Sequence, residues 1–117
     1  MDGEAVRTWC LSRPGASEGF PFGPDTLVYK VGGKMFALVP HGRTTVNLKC
    51  VPHLAEVLRE QFPGSVTPGY HMNKRHWNTV ALDGTVPDDE MEEMLGHSYT
   101  IVVDSLPPAI RSTLREG

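Results

Sequence analysis

The chain has 117 residues, a net charge of −3, 39% hydrophobic residues and 21% charged ones. That length holds one core with little room for a second, and the composition excludes both a disordered chain and the strongly basic one expected of a dedicated nucleic-acid binder. The longest apolar run, Met35 to Pro40, is strand-sized, and acids stand in Met1-Asp2-Gly3-Glu4 where a signal peptide needs an apolar core, so a cytoplasmic protein that does not enter the membrane is expected.

In chain order, Asp2 to Arg13 places Val6, Trp9, Cys10 and Arg13 on one side at helical spacing, and Pro14-Gly15 stops it. Glu18 to Asp25 reads as an extended lead-in, with Phe20 and Phe22 sharing a side and stapling it to the core. Thr26 to Val31 is β-branched and aromatic, and Gly32-Gly33 predicts a two-residue hairpin turn because both positions take positive φ freely. Lys34 to Pro40 returns as a central strand. His41-Gly42-Arg43 then turns into Thr44 to Lys49, where Val46 and Leu48 alternate with Thr45 and Asn47. Pro52 opens a helix with Leu54, Val57, Leu58 and Phe62 as its apolar stripe, and Pro63-Gly64 ends it. A short strand around 65–68, a polar stretch from Gly69 to His76 and a strand from Trp77 to Leu82 follow. Asp88 to Leu106 is the longest helix, and Ala109 to Leu114 adds a last helical turn or two.

The order α-β-β-β-α-β-β-α predicts a single α+β domain over residues 1–117, a two-layer sandwich of one antiparallel sheet with helices on one face. Tyr29, Phe36, Leu38, Val46, Leu48, Leu54, Leu58, Val80, Leu95, Tyr99 and Val102 are expected to share the core between the layers.

Charge is distributed unevenly. Residues 26–80 carry Lys30, Lys34, Arg43, Lys49, Arg59, Lys74 and Arg75 against Glu56 and Glu60, whereas residues 81–104 carry seven acids and no Lys or Arg. One basic and one acidic surface are expected. The run Asp88-Asp89-Glu90 follows a proline at a helix start, where carboxylates favour the exposed N–H groups and the dipole. His71 and His76 are five apart, a spacing that suits a metal pair on neither a helix nor a strand, so neither metal nor cofactor is expected. Cys10 and Cys50 lack CxxC spacing and read as buried, unbridged thiols. No local Cys–His pair and no phosphate-cradling loop points to catalysis.

The segment Gly69-Tyr70-His71-Met72-Asn73-Lys74-Arg75-His76-Trp77-Asn78-Thr79 packs two cations, two imidazoles and two aromatics together. Lys74 and Arg75 can neutralise phosphates, and Tyr70 and Trp77 can stack on bases or clamp another planar group. The same residues also suit a rigid polar loop held by its own hydrogen bonds, with Trp77 in the core. The residues alone leave both readings open.

Several stretches resemble the MmcQ/YjbR family: Glu18 to Asp25, Tyr29 to Ala37, Tyr70-His71-Met72-Asn73-Lys74, and His76-Trp77-Asn78-Thr79-Val80. Leu82-Asp83-Gly84 with Pro87, Ser98-Tyr99, Val102-Val103 and Leu106-Pro107 extend the likeness over nearly the whole chain. The resemblance implies the element order read above. It also implies a DNA-binding label, given by likeness to a double-wing arrangement of strands, and an architecture shared with type III secretion chaperones, which are homodimeric peptide binders. It implies no enzymatic activity. The expectation is a non-enzymatic binding protein for DNA, with Lys30, Lys34, Arg43, Tyr70, His71, Asn73, Lys74, Arg75, His76 and Trp77 as candidate contacts. The alternative is a homodimeric domain that binds a protein or small molecule.

Overall fold

The computed structural model describes residues 1–116. Helix α1 (Gly3–Leu11) starts where the Asp2 carboxylate accepts from the Ala5 N–H at 2.9 Å, a side-chain cap for an orphan donor. Six strands follow, β1 (Ala16–Gly19), β2 (Thr26–Val31), β3 (Lys34–Pro40), β4 (Thr45–Lys49), β5 (Val66–Pro68) and β6 (Trp77–Ala81). Helix α2 (Pro52–Gln61) lies between β4 and β5, and helices α3 (Asp88–Asp104) and α4 (Pro108–Glu116) close the chain. The strands form one antiparallel sheet in the order β1-β2-β3-β4-β6-β5. The expected α+β sandwich with helices on one face is what the chain forms.

The lead-in contributes more than the sequence reading gave it. Ala16–Gly19 pairs with β2 as an edge strand, and Arg7 of α1 clamps it with a two-pronged bond to Glu18 at 2.9 and 3.0 Å. Gly32 and Gly33 turn β2 into β3 with φ of +58° and +80°, the left-handed pair that a two-residue hairpin requires. Gly32 is needed for space as well, since a Cβ there would stand 2.6 Å from Leu106.

Strand alternation divides the side chains between a helix face and an open face. Tyr29, Val31, Ala37, Val46, Leu48 and Val80 meet Val6, Leu58, Met91, Leu95 and Val102 in the main core. A bulge breaks the alternation of β3: Tyr29 pairs with Ala37 but Lys30 pairs with Met35, so Phe36 is the extra residue. Phe36 and Ala37 therefore both enter the core, and Phe36 meets Tyr99 edge to face at 5.3 Å. Strands β3 and β4 pair only at Ala37–Leu48 and Leu38–Asn47. Beyond those pairs the buried Ser98 hydroxyl bridges the strands, donating to the Phe36 carbonyl at 2.5 Å and accepting from the Lys49 N–H at 2.9 Å.

Several expectations change; in α2, Val57 of the apolar stripe is 40% exposed. Leu38 is buried, but in a separate cluster on the open face with Val28 and Trp77, flanked by Met35 and Met72. Trp77 joins that cluster rather than the main core, because it lies an odd number of residues from Val80 and so points to the opposite side of β6. Phe20 and Phe22 staple nothing; they are 52% and 66% exposed.

Candidate functional site

The polar segment after β5 folds as a compact loop at one end of the sheet, and its own backbone shapes it. The Gly69 N–H donates to the Trp77 carbonyl, Met72 N–H to Gly69 and His76 N–H to Asn73, at 2.9 to 3.2 Å. The Asn73 side chain accepts from the Arg75 N–H at 3.0 Å, an Asx-type turn. Gly69 is buried against Trp77, where a Cβ would meet the Trp77 Cβ at 2.8 Å, so no larger residue fits. His71 holds a left-handed φ of +59°. From α2, Arg59 donates through Nε to Asn78 Oδ1 at 2.7 Å and through Nη2 to the Lys74 carbonyl and, at 3.4 Å, to the Trp77 carbonyl. The Cys50 N–H fixes the far side by donating to the His76 carbonyl at 2.8 Å. Latching and display coexist: this bonding holds the backbone and leaves Tyr70, His71, Asn73, Lys74 and Arg75 exposed, with His76 half-buried and Trp77 buried.

Tyr70 is 68% exposed, and its ring lies 3.9 Å, centroid to centroid, from the His71 ring. These two residues wall a concavity of about 570 Å³ on the open face of the sheet, which Phe22 bounds as well. Met35, Leu38 and Met72 make it apolar, while Asn47 and Thr79 put polar atoms on its floor. The Thr79 hydroxyl links floor to wall, accepting from the Tyr70 N–H at 2.9 Å and donating to Asn47 Oδ1. A second hollow of about 400 Å³, lined by Glu18, Phe20, Val28 and Lys30, lies over β1 and β2.

The candidate cations do not gather. Lys30 lies on the open face, opposite Ser17, and Lys74 and Arg75 stand in the loop at the same end of the sheet as the β2–β3 hairpin. Lys34 also sits at that end but points towards the helix layer, where its Nζ donates to Ser105 Oγ at 3.2 Å. Arg43 occupies the β3–β4 turn at the opposite end, beside Gly3 of α1; the length of β3 separates the two ends, roughly 20 Å. Arg59 is engaged as a latch, and Lys49, which pairs with Trp77, joins Lys30 on the open face. The seven acids of residues 81–104 lie on or before α3, behind the sheet, and those at the helix start are Asp88, Asp89 and Glu90. Sequence reasoning did not identify Phe20, Phe22, Met35, Asn47 or Thr79 as site residues. Strand alternation could have placed Asn47 and Thr79 together, but not the two phenylalanines, which depend on the path of a loop.

A smaller cavity of about 260 Å³ opens between α2 and α3, lined by Cys50, Leu54, Leu58, Met94 and His97. Burial pushes the Cys50 thiol up to about 11, which leaves it a poor nucleophile at neutral pH. It also lowers the pKa of His97, whose Nε2 accepts from the Val51 N–H at 3.4 Å. Among the described residues no three His, Cys, Asp or Glu side chains converge as a metal site would require, and no helix is long and apolar enough to cross a membrane.

The family model described as YjbR matches residues 11–101. The uncharacterized protein YjbR of Escherichia coli K12 is 38% identical over 108 residues, 91% of each chain. The uncharacterized protein YbdF of Escherichia coli O157:H7 is 34% identical over 116 residues, 97% of this chain and 94% of its own. The crystal structure of Deinococcus radiodurans protein DR2400 superposes with a TM-score of 0.89 at 40% identity, covering 96% of this chain and 86% of that one. A Pseudomonas syringae protein shares the fold, with a TM-score of 0.75 at 24% identity over 87% of this chain and 99% of its own.

Proposed function

The chain belongs to the YjbR family, and we propose that it is a non-enzymatic, cytoplasmic binding domain whose working surface is the open face of its sheet. One observation carries the reading: three aromatic rings, Phe20, Phe22 and Tyr70, stand 52 to 68% exposed over concavities on the one sheet face that no helix covers. Large rings left in water forgo the stabilisation of burial, and a cluster of them around a pocket of a few hundred Å³ is the usual form of a ligand site. The ligand is flat and apolar where it meets the rings and anionic where it meets Lys30, Lys49 and Lys74. Both cysteines are free and buried, which suits the reducing interior of a cell.

DNA is the ligand that the family likeness implies, and the open face offers phosphates several cations. A long duplex suits it less well. Arg43 is a strand length away, Arg59 is occupied by the loop, and the net charge is negative. The test uses a planar aromatic anion, 1-anilinonaphthalene-8-sulfonate, with amide and methyl NMR to locate it. Binding should perturb Met35, Met72 and Tyr70 and be lost in Phe22→Ala and Tyr70→Ala. Perturbations confined to the α2–α3 cavity would refute this reading.

A further inference from the structure

We infer that the open face takes single-stranded nucleic acid, with bases stacked on Phe22 and Tyr70 and the backbone run along Lys30, Lys49 and Lys74. This deepens the proposed function and rests on it. The reasons lie in the arrangement of charge and rings on one surface.

By register, the strand residues on this face include Lys30 and Lys49, and none is a carboxylate. Glu18, the acid of β1, pairs with Tyr29 on the helix side and is held there by Arg7. Lys74 and Arg75 extend the positive edge through the loop that also carries Tyr70. A molecule with net charge −3 thus keeps carboxylates off the strand positions of this face; the nearest are Glu18, which lines the second hollow and is held by Arg7, and Asp25, beside Phe20 and 3.9 Å from His41. That pairing of a stacking platform with a cationic edge is how sheet surfaces bind single strands, where every base offers a π-face and each phosphate offers a charge. A duplex hides its base faces and cannot use the rings.

The floor adds a means of preference. Asn47 is 4% exposed, and its Oδ1 is occupied by the Thr79 hydroxyl; its Nδ2 has no hydrogen-bond partner among the described residues. An amide donor at the bottom of the concavity suits a base carbonyl, as pyrimidines present on their pairing edge. A base between Phe22 and Tyr70 that reaches Asn47 would be held on its faces by stacking and on its edge by that donor. The separate hollow beside Val28 and Lys30 gives a second base a place to rest on Phe20.

Fluorescein-labelled oligodeoxythymidine, its abasic counterpart of equal length and a duplex of the same strand are titrated at low ionic strength by anisotropy. The open strand should bind best, and Phe22→Ala and Tyr70→Ala should each weaken it roughly ten- to a hundredfold, the range for one lost stacked base. Lys30→Ala and Lys74→Ala should each flatten the salt slope by about 0.7, the increment per phosphate on a single strand. The abasic strand should bind weakly and ignore Phe22→Ala. All four side chains are partly or fully exposed, so the variants retain the fold. Equal binding of abasic and thymidine strands, or tighter binding of the duplex, would overturn the inference. So would a homodimer, seen by sedimentation, that Phe22→Ala dissolves. If no oligonucleotide binds while anilinonaphthalene sulfonate still does so through Phe22 and Tyr70, the nucleic-acid assignment falls and the open-face reading survives. If neither binds there, both fall.

Discussion

Replacing Arg59 tests how the loop that carries Tyr70 is held. The guanidinium closes three bonds at once, to Asn78 Oδ1 and to the carbonyls of Lys74 and Trp77. Asn78 is 2% exposed, and its amide nitrogen already donates to the Ala55 carbonyl at 3.3 Å, so its oxygen cannot turn to another donor without breaking that bond. Arg59→Ala leaves this acceptor buried and unpaired, at a cost of about 1–3 kcal/mol, whereas the loop carbonyls can turn to water at little cost. A net loss of roughly 2 kcal/mol is expected, read as a lower urea midpoint with unchanged slope and a fall in Tm of about 8 °C for a domain of this size. Arg59→Met keeps the stem packing and should lose nearly as much. Arg59→Lys should recover less than half, because an ammonium lacks the planar fork that reaches all three acceptors. Amide exchange should quicken across residues 70–76 well before it does in β4. A loss below about 0.5 kcal/mol in Arg59→Ala, or full rescue by lysine, would refute the latch.

Other positions give independent checks. The Tyr29 hydroxyl is fully buried and finds no hydrogen-bond partner among the described residues, so Tyr29→Phe should raise stability by about 1 kcal/mol in urea unfolding. Burial lowers the His97 pKa below its ordinary 6.5, so on acidification through about 6.5 the unfolded chain takes up a proton that the folded one refuses. Stability should therefore fall from neutral pH towards the folded pKa, His97→Gln should flatten that dependence, and an NMR titration should place the midpoint below 6.5. Cys10 and Cys50 are buried with pKa values pushed up to about 12 and about 11, so neither should react with a disulfide reagent at pH about 8 until the protein unfolds. His71→Ala and Asn73→Ala alter exposed side chains and should each cost less than about 1 kcal/mol by thermal unfolding.

Element order, the Gly32-Gly33 hairpin and the Pro52 helix start were legible in the sequence because each depends on local chemistry: positive φ, a missing N–H, a periodic apolar stripe. What escaped reading depends on which side of the sheet a residue faces. Met35 to Val39 is apolar on both faces, and only a bulge at Phe36 decides that Phe36 and Ala37 go inward while Leu38 goes outward. A run without alternation carries no sign of its register. Trp77 shows the same limit, since a large ring at the start of a strand looks like core until a second cluster is known to lie on the open face. Lys30, Lys34, Arg43, Lys74 and Arg75 were visible as a basic excess, but composition cannot tell the two ends of a hairpin apart, and Arg43 is at the wrong end to join the others. The exposed rings were hardest to place. Phe20 and Phe22 sit among Pro and Gly in a segment with no period, where the usual inference from hydrophobicity is burial. Their exposure follows from the path of β1, which Arg7 clamps at the edge so that the chain beyond Gly19 runs over the open face. The rings that define the candidate site are thus positioned by an ion pair on the other side of the sheet. Arg7→Ala should accordingly weaken oligonucleotide binding at the open face several-fold without touching it, while Arg7→Lys restores part. An unchanged affinity in Arg7→Ala would show that the lead-in holds Phe20 and Phe22 in place without its clamp.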